Sequence, residues 1–191
     1  MKKIPLLALG IPVLLLVFTT VSAGDAMAPH IGDLKLSEGE EHVLLSATLF
    51  AQFDEEQRQA IRGGVPLKFS FRIRLTRKGS IIGERIVRNR ELFNGLEYDP
   101  VRQLYLFTAE GQGSEIIERT TRDEEEALRW LTTIENWRLF PFRKLDRNTR
   151  YRVRVMATLR SVEMPSVLGY LFFFTTIFNR ETPWVHLDFT Y

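Results

Sequence analysis

Arginine recurs at every second position in two segments of this chain, Arg72 and Arg74 in one and Arg152 and Arg154 in the other, with Arg160 further along the second. On a strand, residues i and i+2 share a face, so each segment would present a basic stripe. In a sandwich, strands equivalent to these two can lie side by side, which would merge the stripes. The planar guanidinium fork grips phosphate or carboxylate oxygens in pairs, the chemistry of a lipid headgroup or an acidic ligand. The ordinary alternative is a solvated face whose arginines meet cross-strand carboxylates. A second feature is apolar: Phe172, Phe173 and Phe174 sit inside the mainly apolar run Val167 to Phe178. Such a run either caps the end of a core or forms an exposed patch for a membrane surface or a partner protein.

Signals for catalysis are weak. His186 and Asp188 lie two apart and would share a strand face, but a metal site needs three or four ligands and no third is visible. The chain has no cysteine, which removes thiol catalysis and thiolate metal sites. Gly111-Gln112-Gly113-Ser114 lacks the lysine and helix of a phosphate loop and reads as a turn. No serine sits in a nucleophile elbow. Glu124, Glu125 and Glu126 fall where a helix would start and suit its dipole. The expectation is therefore a non-enzymatic protein with no catalytic residue, metal or cofactor. The alternative is an envelope hydrolase whose carboxylates are assembled in space.

The N-terminus bears on location. Met1-Lys2-Lys3 is followed by an uncharged apolar run, Ile4 to Phe18, and then by Val21-Ser22-Ala23, with small residues where signal peptidase requires them. This predicts a signal peptide over residues 1–23, cut between Ala23 and Gly24, and a periplasmic mature protein. The competing reading is an uncleaved inner-membrane anchor, because Ile4 to Val21 approaches the length of a membrane span. Loss of Lys2 and Lys3 would leave 24 basic against 24 acidic side chains, from the 26 and 24 of the full chain. That balance argues against a nucleic-acid partner, which calls for a basic excess.

After a short tether, residues 24–30, apolar residues mostly recur with period two, so residues 31–191 are expected to form one β domain. Ile31 to Leu36 and Val43 to Phe53 read as strands, and Asp54 with Gln57 as the start of a short helix ended by Gly63-Gly64. Leu67, Phe69, Phe71, Ile73 and Leu75 alternate with polar residues as the clearest strand. Its return is expected over Ile81 to Phe93 with Gly83 at a bulge, and Asn94-Gly95 and Asp99-Pro100 read as turns. Gln103 to Thr108 and Ser114 to Thr120 are further strands. Ala127, Leu128, Leu131 and Ile134 make one helical stripe in a helix from Glu124 to Thr133.

Leu145 to Val155 resembles the tyrosine corner of fibronectin type III and other immunoglobulin-like sandwiches. There a tyrosine, here Tyr151, opens a strand and bonds through its hydroxyl to backbone just upstream, near Leu145. The fold class expected is all-β, mainly antiparallel: an immunoglobulin-like β-sandwich with one or two short helices. The aromatic terminus Val185 to Tyr191 suggests a rival, a small outer-membrane β-barrel.

Taken together, several features resemble the DUF4390 family of exported bacterial proteins of unknown function. They are the leader, the strand Leu67 to Arg77, Leu96-Glu97-Tyr98, the helix at Glu124, Tyr151-Arg152-Val153-Arg154-Val155, the Met164-Pro165 break and the final strand with Trp184. The stretch Leu171 to Phe178 departs by being more apolar. The resemblance implies an envelope accessory role, in a sensor-kinase-associated system, and carries no active-site residue. The function expected is a non-catalytic cell-envelope module that binds an envelope protein or membrane surface.

Overall fold

The computed structural model describes residues 28–79, 83–111, 116–161 and 181–191. The leader with its Ala23–Gly24 junction, the run containing Phe172, Phe173 and Phe174, and the side chain of Arg160 lie outside the described residues.

Alternation decides the central strand. β3 (Leu67–Lys78) buries Leu67, Phe69, Phe71, Ile73 and Leu75 to between 0 and 5% exposure and turns its arginines outward. It pairs antiparallel with β4 (Glu84–Asp99) on one side and β8 (Arg150–Ser161) on the other. β5 (Leu104–Gly111) and β6 (Ile117–Thr121) extend the sheet past β4, and β9 (Val185–Thr190) extends it past β8. The spatial order is β6-β5-β4-β3-β8-β9. A second antiparallel sheet contains β1 (His30–Glu38), β2 (His42–Phe50) and β7 (Thr133–Pro141), in that order. One apolar core joins the inner faces of both sheets with α1 (Glu55–Arg62) and α2 (Glu124–Thr132).

Read as letters, β1, β2 and β7 are strands A, B and E, while β9, β8, β3 and β4 are G, F, C and C′, an immunoglobulin-like sandwich. The described strands form two sheets rather than one closed ring, so the barrel rival is set aside. The tyrosine corner is in place. Tyr151 is 1% exposed, and its hydroxyl accepts the Asp146 backbone N–H at 2.8 Å. Leu145 is buried beside it, and the Tyr151 ring stacks on Phe189 with centroids 5.5 Å apart.

Three local expectations are corrected. Asn94-Gly95 is not a turn, and β4 runs through it to Asp99. The buried Asn94 amide donates to the carbonyls of Trp130, Leu131 and Thr133 at 3.1–3.3 Å, satisfying orphan acceptors at the end of α2. At Gly95 a Cβ would lie 2.6 Å from Thr108 Oγ1. Gly83 is not a bulge. It sits in the β3–β4 connection at φ +77°, accepting the Gly79 N–H, and the bulge falls between Leu75 and Thr76. Ile134 is not on the helix, because α2 stops at Thr132 and Thr133 is already extended. The β-branched run Thr132-Thr133-Ile134 favours that switch, and β2 supplies the partner strand.

Candidate functional site

β3 and β8 are neighbours, so the two arginine stripes do merge on the outer face of the six-stranded sheet, where Arg74 faces Arg154 and Thr76 faces Arg152. The merged stripe divides into a neutralised half and a half that retains a polar vacancy.

In the first half, Arg152 makes a bidentate contact with Asp188, Nε to Oδ1 at 2.6 Å and Nη2 to Oδ2 at 3.0 Å, and its Nη1 reaches Glu84 Oε1 at 3.0 Å. Arg154 holds the other Glu84 oxygen at 2.6 Å, and Lys78 bonds to Asp188. Arg152, and then Lys78, hold the Asp188 carboxyl well below the usual carboxylate range. For Glu84, burial pushes upward, but Arg154 and Arg152 outweigh it and the net shift is downward. Both carboxylates are thus committed to ion pairs. Among the described residues no group of three His, Asp or Glu side chains converges.

In the second half, Arg72, Arg74, Asn89, Arg90, Glu91 and Trp184 line a cavity of about 190 Å³. The Arg74 guanidinium lies 5.1 Å from the Trp184 ring centroid, and its Nε donates to the neutral Asn89 side chain at 3.3 Å. A cation over indole is attracted to the ring face and is oriented by it. Arg72 sends Nη2 to Glu181, yet its Nε is buried and has no hydrogen-bond partner among the described residues. Glu91 accepts a hydrogen bond from the fully buried Ser70 hydroxyl. The Arg72 and Arg74 guanidinium groups thus meet at the cavity beside the Glu91 carboxylate, and one Arg72 N–H has no acceptor among the described residues. A phosphate or carboxylate would supply it.

Of the sequence-based candidates, Arg72 and Arg74 meet at this cavity, while Arg152 and Arg154 meet Glu84 and Asp188 instead. Trp184, Asn89 and Arg90 were not singled out. Trp184 precedes the last strand, and only the fold brings it over Arg74. A separate ion-pair cluster ties the helices together. Arg58 of α1 reaches Glu124 at 2.8 Å and Glu125 at 2.6 Å, Arg62 reaches Glu124 at 2.6 Å, and the Tyr105 hydroxyl donates to Glu124 at 2.8 Å. Asp123 caps α2 by accepting the N–H groups of Glu125 and Glu126, so the acidic run opens a helix as its sequence implies.

The family model for a domain of unknown function, DUF4390, matches residues 26–188. The chain belongs to that family. No curated protein and no solved structure matches this DUF4390 chain.

Proposed function

We propose that this DUF4390 protein is a non-catalytic binding module of the cell envelope, and that it takes a phosphate-bearing headgroup at the Arg72–Arg74–Trp184 cavity. The observation that carries the reading is the buried Arg72 Nε, which has no acceptor among the described residues and lies beside an arginine already oriented on indole. An unmet buried donor is costly, and an anion at this position would satisfy it with a charge-assisted bond. Export is part of the same proposal. The matched family region begins at residue 26, just beyond the expected cut after Ala23. A hydrolase has less support. A hydrolytic carboxyl pair needs one member protonated near neutral pH, whereas Glu84 and Asp188 share Arg152 and are both held ionised.

The test is a titration of the full chain with glycerol phosphate, inorganic phosphate and acetate, read by tryptophan fluorescence and calorimetry. Saturable binding of the phosphates is expected, with glycerol phosphate preferred. Arg74→Gln and Trp184→Ala should each weaken it at least about tenfold, or about 1.4 kcal/mol. Arg77→Gln, which loses only an exposed pair with Asp146, should leave it unchanged. Equal behaviour of Arg74→Gln and the wild type would refute the assignment.

A further inference from the structure

The small sheet ends at β7, and among the described residues no strand pairs with the outer edge of β7. In the immunoglobulin arrangement a D strand flanks E at that edge. Here the described residues between C′ and E build β5, β6 and α2 instead, and no described strand takes the D position. Beside it, on the inner side of the large sheet, lies a cavity of about 70 Å³ whose lining includes Phe107, Gly111, Ile117, Arg119, Trp130 and Trp137.

Three details give this cavity a chemistry. The Trp137 indole Nε1 is buried and has no hydrogen-bond partner among the described residues. Gly111 is what lets that indole sit there, because a Cβ on it would fall 2.8 Å from Trp137 Cζ2 and 3.0 Å from Nε1. Ile117, on the rim strand β6, is 46% exposed, and Arg119 stacks on Trp130 at 5.6 Å. An apolar cavity of about 150 Å³ accepts benzene, so one of half that size accepts a small aliphatic side chain and no cofactor. An open strand edge calls for main-chain partners, an orphan N–H calls for a carbonyl, and the cavity calls for a small apolar group. One object supplies all three: an extended polypeptide segment.

We infer that the β7 edge is a strand-addition site for an extended segment of a partner protein. The segment occupies the D position. One of its main-chain carbonyls accepts the Trp137 Nε1 proton, and a valine-sized side chain fills the space between Trp130 and Trp137. This site lies on the inner side of the large sheet and is independent of the anion cavity on the outer side.

The full chain is panned against a phage-displayed library of random linear peptides, with counter-selection on Trp137→Phe. Enriched peptides are expected to place valine, alanine or isoleucine among strand-forming residues and to shift the Trp137 indole N–H resonance on binding. Trp137→Phe should weaken them at least about tenfold. Its melting temperature should stay close to that of the wild type, since deletion of an unmet donor offsets the ring packing that is lost. Methylating alternate backbone amides of a selected peptide should abolish binding. The inference fails if no sequence is enriched over the variant, or if peptides bind both forms alike. It also fails if the wild type forms a concentration-dependent dimer that Trp137→Phe dissociates, which would assign the edge to a second copy of this chain.

Discussion

At the scale of single residues, Tyr151 carries an informative bond. Its hydroxyl is the acceptor and the Asp146 backbone N–H the donor. Tyr151→Phe therefore keeps the stack on Phe189 and strips the acceptor, leaving a main-chain donor unmet. A loss of about 1–3 kcal/mol is expected, with the fold retained. Urea melts that superimpose on the wild type would show that the corner contributes nothing. This corner was legible in the sequence because donor and acceptor lie five residues apart. Arg72 and Arg74 were legible too, as an alternation. Their surroundings were not. That Arg74 rests on Trp184 while Arg154 is neutralised by Glu84 depends on strand register, which no local pattern encodes. Asn94 shows the same limit from the other side. Asn-Gly favours turns, but carbonyls at the end of α2 and the start of β7 overrode that local preference.

At the scale of elements, Glu124 joins α1 to α2 and to β5 through Arg62, Arg58 and Tyr105. The Arg62 contact is the main reason its pKa falls to about 2. Burial, then the bond to Glu124, pushes the Tyr105 hydroxyl up to about 12. For a carboxyl depressed on folding, the stabilisation is complete above the unfolded value of about 4.3 and is lost as pH falls through about 2. For a phenol raised on folding, it is complete below about 10 and is lost as pH rises through about 12. Glu124→Gln should cost about 1–3 kcal/mol at neutral pH, and the gap to wild type should shrink as melts are taken from pH 5 towards pH 2. A constant gap would mean that the bridge is not electrostatic. The helices themselves were readable from their caps, Asp54 with Gln57 and Asp123 with the acidic turn. β7 was not, because Thr133 to Pro141 alternates poorly and Ile134 continues the apolar spacing of α2 by coincidence.

At the scale of the whole molecule, the alternating strands and the corner together pointed to a sandwich, and the strand order supports it. What the pattern could not supply was which strands become neighbours and which edge is left open, because pairing is decided between segments far apart in sequence. Location belongs to this scale as well. Under the proposed export, protein recovered from its native cells should begin at Gly24 by intact-mass spectrometry, given Val21 and Ala23 at the cleavage positions. An intact Met1 terminus would favour the anchored form.

The β3–β8 pairing has a consequence in time. β3 lies at the middle of the large sheet, yet one of its two neighbours begins only at Arg150, and the strand that completes that side, β9, ends one residue short of the chain terminus. Closing a central pairing across so long an intervening segment is slow, since chain entropy is spent before any contact rewards it. A ribosome would have to pass both Arg150 and Val185 before the sheet had its final neighbours. Until then the large sheet remains without a completed centre.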